Sequence, residues 1–165
     1  MKTVVKILLL LTIAMSALSC SRMAQQRVTV ESVDSVERLG WSGTEIALTV
    51  SNGLLRDIRL DSCRMTIRTA SGTVVGAELR GGAALGKQTT QQVRLRFKIT
   101  AEHPSAMQSL WHRLASGEVQ DVTVETHASA EIGRSRRKIY RPARSLSEIL
   151  RNFGVSEDDF STWFQ

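Results

Sequence analysis

Apolar residues recur at every second position along several short stretches of this chain, and this period constrains its fold most. The clearest stretch begins at Gln92, and there Val93, Leu95, Phe97 and Ile99 alternate with three cations. A strand places successive side chains on opposite faces, so this alternation is typical of a strand with one face buried and the other in water. The sequence therefore predicts β-structure.

Further stretches with the same period are separated by turn residues about every ten positions. In one of them the apolar phase reverses, so we expect a bulge, or a break between two strands, near Asp61-Ser62. Pro142 is expected to stop the last strand, which the pattern ends at Tyr140. About seven short strands at this spacing are typical of an antiparallel β-sandwich. The alternating segments are residues 28–33, 45–51, 55–69, 73–79, 92–99, 119–126 and 132–140.

Two segments have the period of a helix instead. One follows Pro104, a residue suited to a first helical turn, and is expected to end at Ser116-Gly117. It would lie between late strands and cover an open end of the sandwich. The other is a short C-terminal helix that Ser145 would cap. The apolar face of the first helix would consist of Met107, Leu110, Trp111 and Leu114.

The start of the chain has the arrangement of a secretory signal. Cations at Lys2 and Lys6 precede a short apolar run, and small residues lead to Cys20. The run is much shorter than the roughly 20 residues that span a bilayer. The segment Ala17-Leu18-Ser19-Cys20 resembles the bacterial lipobox, in which the signal is removed before a cysteine that then carries acyl chains. We therefore expect acylation of Cys20; cleavage nearby, with Cys20 left as a thiol, is the alternative.

These patterns divide the chain into a signal peptide (1–19), a lipidated tether (20–26), a β-sandwich domain (27–144) and a C-terminal helical tail (145–165). Ser21-Arg22 after the cysteine carries no acidic export-type run, which favours the outer membrane with the domain facing the periplasm. The formal net charge of +6 suits anionic headgroups, polysaccharide or simple solubility. Nucleic acid is not an expected partner of an exported chain, and we expect a monomer.

The two cysteines limit the covalent chemistry. With Cys20 acylated, no internal disulfide forms, and a disulfide scaffold and a cysteine-based metal cluster are both excluded. Without acylation, a Cys20–Cys63 bridge is the alternative. Cys63 stands among apolar strand residues and is expected to be a small buried hydrophobe.

No residue pattern is typical of catalysis, so we expect no catalytic residues, cofactor or metal. Of His103, His112 and His127, none has a second histidine or a carboxylate three or four residues away on a helix, and all three are expected at the surface or at caps. A zinc site assembled from all three in space, or a hydrolase site of that kind, is the remaining alternative. The glycine-rich segment 81–87 lacks the ending of a phosphate loop, because Gln88 follows Lys87.

The strongest functional candidate is a run of cations near the end of the domain. It could contact anionic headgroups or a partner, since each Lys or Arg near such a surface contributes about 1 kcal/mol. The alternative is that these charges protect an edge strand from pairing with another molecule. Arg94, Arg96 and Lys98 form a second basic face, with the same alternative. The run consists of Arg134, Arg136, Arg137, Lys138, Arg141 and Arg144.

The stretch from Glu45 to Tyr140 resembles the late-embryogenesis-abundant type 2 domain, also called the water-stress and hypersensitive-response domain. The resemblance rests on a strand ending in Asn52-Gly53, a hairpin over residues 67–76 and an alternating strand before a helix. It implies an immunoglobulin-like sandwich without a catalytic site, in a family that is linked to stress and includes bacterial lipoproteins. We therefore expect a non-enzymatic, lipid-anchored cell-envelope module that binds a protein or envelope component, with a stress-protective protein as the alternative.

Overall fold

The structure, a computed structural model, describes residues 27–39 and 42–152. The predicted signal peptide, the tether with Cys20 and residues 153–165 of the tail lie outside the described residues. The elements in chain order are β1 (Val28–Leu39), β2 (Gly43–Asn52), β3 (Ile58–Thr69), β4 (Val74–Arg80), β5 (Ala83–Leu85), β6 (Thr89–Ala101), α1 (Pro104–Ala115), β7 (Val122–Ile132), β8 (Ser135–Ser145) and α2 (Leu146–Asn152).

The strands form one curled antiparallel sheet in the order β1-β2-β6-β4-β3-β7-β8, with β5 added to β3. β1 and β8 are therefore its edges. Apolar side chains from β2, β3, β4, β6 and β7 meet in one buried cluster, with Ile46, Met65 and Phe97 at most 2% exposed. The expected fold, a mainly β, immunoglobulin-like antiparallel sandwich with one helix between late strands and a short C-terminal helix, is confirmed.

The alternation in β6 and the helical period after it are both confirmed. Leu95, Phe97 and Ile99 are buried, whereas the three cations between and beside them are exposed. In α1, Leu110 and Leu114 are buried against the sandwich. The helix ends at Ala115 with Ser116 as its C-cap, and the glycine that follows has a positive φ, as is common at a C-terminal cap.

Strand β1 has a register that the sequence pattern did not reveal. Its valines recur mostly at every third position, yet Val30, Val33 and Val36 pair in register with Val50, Leu48 and Ile46 of β2. Register shifts between Val30 and Ser32 and between Val33 and Ser35 make this possible, because each bulge absorbs one extra residue. Two bulges thus convert a spacing of three into the alternation of a strand.

The expected bulge near Asp61 is confirmed by the register shift between Leu60 and Ser62. The prediction that Pro142 stops the last strand is wrong, because β8 continues to Ser145. Proline is tolerated there because β8 is an edge strand, and the register with β7 shifts between the Arg141 and Arg144 pairings. The preceding turn lies at Gly133, whose φ of 63° suits glycine.

Candidate functional site

The predicted cationic run lies along β8, one of the two edge strands of the described sheet, and in the turn before it. Directly opposed residues of two paired strands share a face. Arg137 and Arg141 oppose the buried Ala130 and Thr126 and so share the core-side face, whereas Lys138 opposes Ser129 on the outer face. Strand alternation therefore divides the run between two faces and does not gather it into one basic strip.

One cation of the run belongs to an ion network on the outer face. Arg136 lies 3.8 Å from the carboxylate of Asp61, the residue in the β3 bulge. The carboxylate of Asp61 also lies 2.8 Å from the guanidinium of Arg59, which in turn lies 2.7 Å from the carboxylate of Glu131. Arg134, Arg137, Lys138 and Arg144 have no carboxylate within 4.0 Å among residues 27–39 and 42–152. These four cations carry charge that the described part of the domain does not neutralise.

An aromatic pair lies beside the run, at the middle of β8. The rings of Tyr140 and His127 are 4.7 Å apart between centroids, and Tyr140 is 57% exposed. His127 contacts the carboxylate of Glu125 at 2.9 Å, and Arg68 donates to the same carboxylate at 2.9 Å. The hydrogen bond from Arg68, followed by the one from His127, lowers the pKa of Glu125. Sequence reasoning expected His127 at the surface or at a cap and did not reveal this pairing across strands.

The second basic face, on β6, surrounds a buried carboxylate. Glu45 of β2 is 6% exposed and accepts hydrogen bonds from Arg94 at 3.0 Å and Arg96 at 2.5 Å. The bond from Arg96 is the main cause of a lowered pKa of Glu45, with Arg94 adding to it and burial opposing it. Because two of its three cations hold Glu45, this face is a weaker candidate for binding an anion than the β8 edge.

Asn52 organises the end of the sandwich where β2 stops. This residue is 1% exposed, and its side-chain amide donates to the carbonyls of Arg56 and Gly86 at 3.0 and 2.9 Å. Its side-chain oxygen accepts the N–H of Leu54 at 2.9 Å. One buried amide therefore fixes two loops, residues 53–57 and 86–88. Neither Asn52 nor Gly53 has a positive φ.

The remaining candidates for chemistry lie apart. His103 precedes α1 and His112 lies on its exposed side, far along the chain from the exposed His127 in the middle of β7. Over the described residues, no group of three or more His, Cys, Asp or Glu side chains could hold a metal ion. The glycine-rich segment forms β5 and a turn into β6, where a phosphate loop would lead into a helix. Cys63 is 1% exposed, and burial raises its pKa to about 12, as expected of a buried strand residue.

None of the helices in the described segments has the length and apolar character needed to cross a membrane.

No family model and no curated protein matches the chain. Among solved structures, a protein from Archaeoglobus fulgidus is 22% identical, with a TM-score of 0.42 over 70% of this chain and 93% of that one. The GAE domain of GGA2p from Saccharomyces cerevisiae is 8% identical, with a TM-score of 0.34 over 73% and 88% of the two chains.

The yeast GGA1 GAE domain is 11% identical, with a TM-score of 0.35 over 78% of this chain and 96% of that domain. With TM-scores this low, these likenesses carry no argument about function. The class that the described part of the chain defines is an antiparallel β-sandwich module with a cationic edge strand.

Proposed function

We propose that the mature chain is a non-enzymatic, lipid-anchored module of the bacterial cell envelope, which binds a protein or an anionic envelope component along its β8 edge. Acyl chains on Cys20 would hold it at the outer membrane, facing the periplasm, after removal of residues 1–19. Each buried CH2 of such chains contributes about 0.8 kcal/mol, and several chains together give stable anchoring. This role needs no cofactor and no nucleic acid.

The observation that carries the proposal is the β8 edge. Within the described segments β8 pairs with β7 alone, so one side of its backbone is open for strand addition. Cations project from both faces of this edge, and Arg137, Lys138 and Arg144 have no carboxylate within 4.0 Å in the described part of the chain. An extended acidic segment suits such an edge, because its backbone would pair with β8 while its carboxylates met the cations.

A photo-crosslinking amino acid at Lys138 tests this proposal in cells. The matched control carries the same amino acid at Lys98, an exposed lysine on the central strand β6. We expect a discrete adduct from position 138 that is lost when Arg136, Arg137 and Arg141 are replaced by Ser, and none from position 98. Equal labelling from both positions, or an adduct insensitive to the triple substitution, would contradict edge recognition. If the triple variant only aggregates, the cations protect the edge instead.

A stress-protective protein of the late-embryogenesis-abundant type 2 class is the second candidate. The observation that favours it is Asn52, which stands where the resemblance places an asparagine and which fixes two loops from a buried position. A deletion strain complemented with the Arg136, Arg137 and Arg141 triple variant separates the two roles. General protection predicts normal survival on drying with this variant, whereas edge recognition predicts that complementation fails.

A further inference from the structure

The end of the sandwich from which the tether leaves carries an exposed leucine held in a fixed loop. Leu55 is 70% exposed, more than Leu39 or Tyr140, the other exposed large apolar residues in the described part of the chain. Hydrogen bonds hold the backbone on either side of it. Gln88 N–H donates to the Leu54 carbonyl at 3.0 Å, and the Asn52 side-chain amide donates to the Arg56 carbonyl at 3.0 Å. The structure thus presents Leu55 to solvent in a defined position.

Four cations lie at the same end, three in its loops and one at the first described residue. Lys87 N–H donates to the Asp57 carboxylate at 2.8 Å, and Gly133 N–H donates to the Asp57 carbonyl at 2.9 Å. These bonds bring the β5–β6 and β7–β8 turns to the loop that carries Leu55. The loops and the first described residue contribute one carboxylate, that of Asp57, against the four cations Arg27, Arg56, Lys87 and Arg134.

The opposite end is closer to balance in charge. The segments around α1, residues 102–103 and 116–121, contribute Glu102, Glu118 and Asp121, whereas the end of β8 and α2, which lie beside them, contribute Arg144, Glu148 and Arg151. Arg113 of α1 lies 3.7 Å from Glu118 and 3.6 Å from Asp121, so its charge is already matched. The Leu55 end therefore has the larger excess of cations over carboxylates, next to an exposed leucine.

The chain enters the domain at the cationic end. Gly53 N–H donates to the carbonyl of Arg27 at 2.6 Å, which places the start of the domain beside the Leu55 loop. From Cys20 to Arg27 an extended chain reaches at most about 25 Å. The 13 residues of β6 extend about 40 Å at about 3.3 Å per residue. With Cys20 in the bilayer, the α1 end cannot rest on the membrane, because Arg27 would then be too far from the surface.

We propose that this end, with Leu55 at its tip and Arg27, Arg56, Lys87 and Arg134 around it, docks on the anionic headgroups of the membrane that holds the acyl anchor. The inference rests on the proposed lipid anchoring and adds an orientation to it. Leu55 enters the boundary between headgroups and acyl chains, and the cations contact lipid phosphates. The β8 edge then stands upright from the membrane, free to pair with a periplasmic partner.

Site-specific fluorescence of the acylated full chain in vesicles tests this orientation. Leu55→Cys and, at the opposite end, Ser71→Cys are each labelled with an environment-sensitive dye; Ser71 is exposed, next to a glycine with open space around it. Cys63 does not compete for the dye, since it is buried. In vesicles of phosphatidylglycerol and phosphatidylethanolamine with nitroxide-bearing lipid, we expect a blue shift and quenching at position 55 and neither at position 71.

Charge variants keep this test specific. Replacing Arg56, Lys87 and Arg134 by Ser should abolish the quenching at position 55, since each cation changes surface affinity about fivefold. Replacing Arg64, Arg80 and Lys98, exposed cations of the outer sheet face, removes the same charge and should leave the quenching intact. Equal signals at positions 55 and 71 in chains that remain with the vesicles would overturn the docking and leave the anchoring in place. A chain without acyl groups on Cys20 would overturn both.

Discussion

Asp34 accepts a 3.0 Å hydrogen bond from the side-chain amide of Gln92, although their strands, β1 and β6, lie on opposite sides of β2. The bulge in β1 explains this reach, because Asp34 is the extra residue between the Val33 and Ser35 pairings. The same carboxylate accepts a 2.8 Å hydrogen bond from the hydroxyl of Thr49 in β2. One bulge residue thus links the edge strand β1 by hydrogen bonds to both β2 and β6.

Asp34→Ala should loosen β1 without unfolding the domain. The variant loses the bonds from Thr49 and Gln92, so we expect β1 amides to exchange hydrogen several-fold faster while β7 amides stay protected. Glu31→Ala is the matched control, since Glu31 occupies the other β1 bulge and accepts a hydrogen bond from Thr29 on its own strand. Equal exchange in the two variants would show that Asp34 does not tie the edge.

Glu45→Gln should weaken the acid sensitivity of the domain. The hydrogen bonds from Arg96 and Arg94 lower the pKa of Glu45 from its ordinary value of 4.5. Its charge therefore stabilises the fold above about pH 4.5, and this contribution is lost as the pH falls through the lower folded value. We expect the variant to be less stable than the wild type at pH 7 and to approach it in stability below pH 4, by thermal unfolding across the pH range. A constant difference at all pH values would contradict the ion pairing.

Asn52 variants should destabilise the cationic end of the sandwich. Asn52→Ala leaves the buried N–H of Leu54 and two carbonyls without their side-chain partner, which costs about 2 kcal/mol of unfolding free energy. Asn52→Asp should cost more, because it places a carboxylate where two carbonyls accept hydrogen bonds. Denaturant unfolding measures both. Gln120→Glu, at an exposed amide, is the control and should change stability little; a similar loss there would argue against a special role of Asn52.

Two glycines provide a matched test of the β3–β5 pairing. Gly72 and Gly82 both have positive φ, at 83° and 67°, so an alanine costs about 1 to 2 kcal/mol in either place. A Cβ at Gly82 would also lie 2.7 Å from the Leu60 carbonyl oxygen, whereas at Gly72 nothing lies within 4 Å. We expect Gly82→Ala to lower the denaturant midpoint clearly more than Gly72→Ala. Equal midpoints would show that β5 does not hold this register.

Local patterns predicted β6, α1 and the β3 bulge, because each depends on neighbours in sequence. The length of β8 was not predictable in this way, since Pro142 is tolerated only because this strand lies at the edge. The bonds from Arg94 and Arg96 to Glu45 and from Gln92 to Asp34 join residues 49 or more positions apart and depend on which strands become neighbours. The cationic run was found from sequence, but its division between faces follows from the β7–β8 register.

Mass spectrometry of the intact protein purified from cell membranes tests the central claim most directly. The account predicts a chain that begins at Cys20, with residues 1–19 removed and with the mass of acyl groups confined to the peptide containing that cysteine. A mature chain with an unmodified Cys20 thiol, or one cut elsewhere and recovered in the soluble fraction, would contradict it.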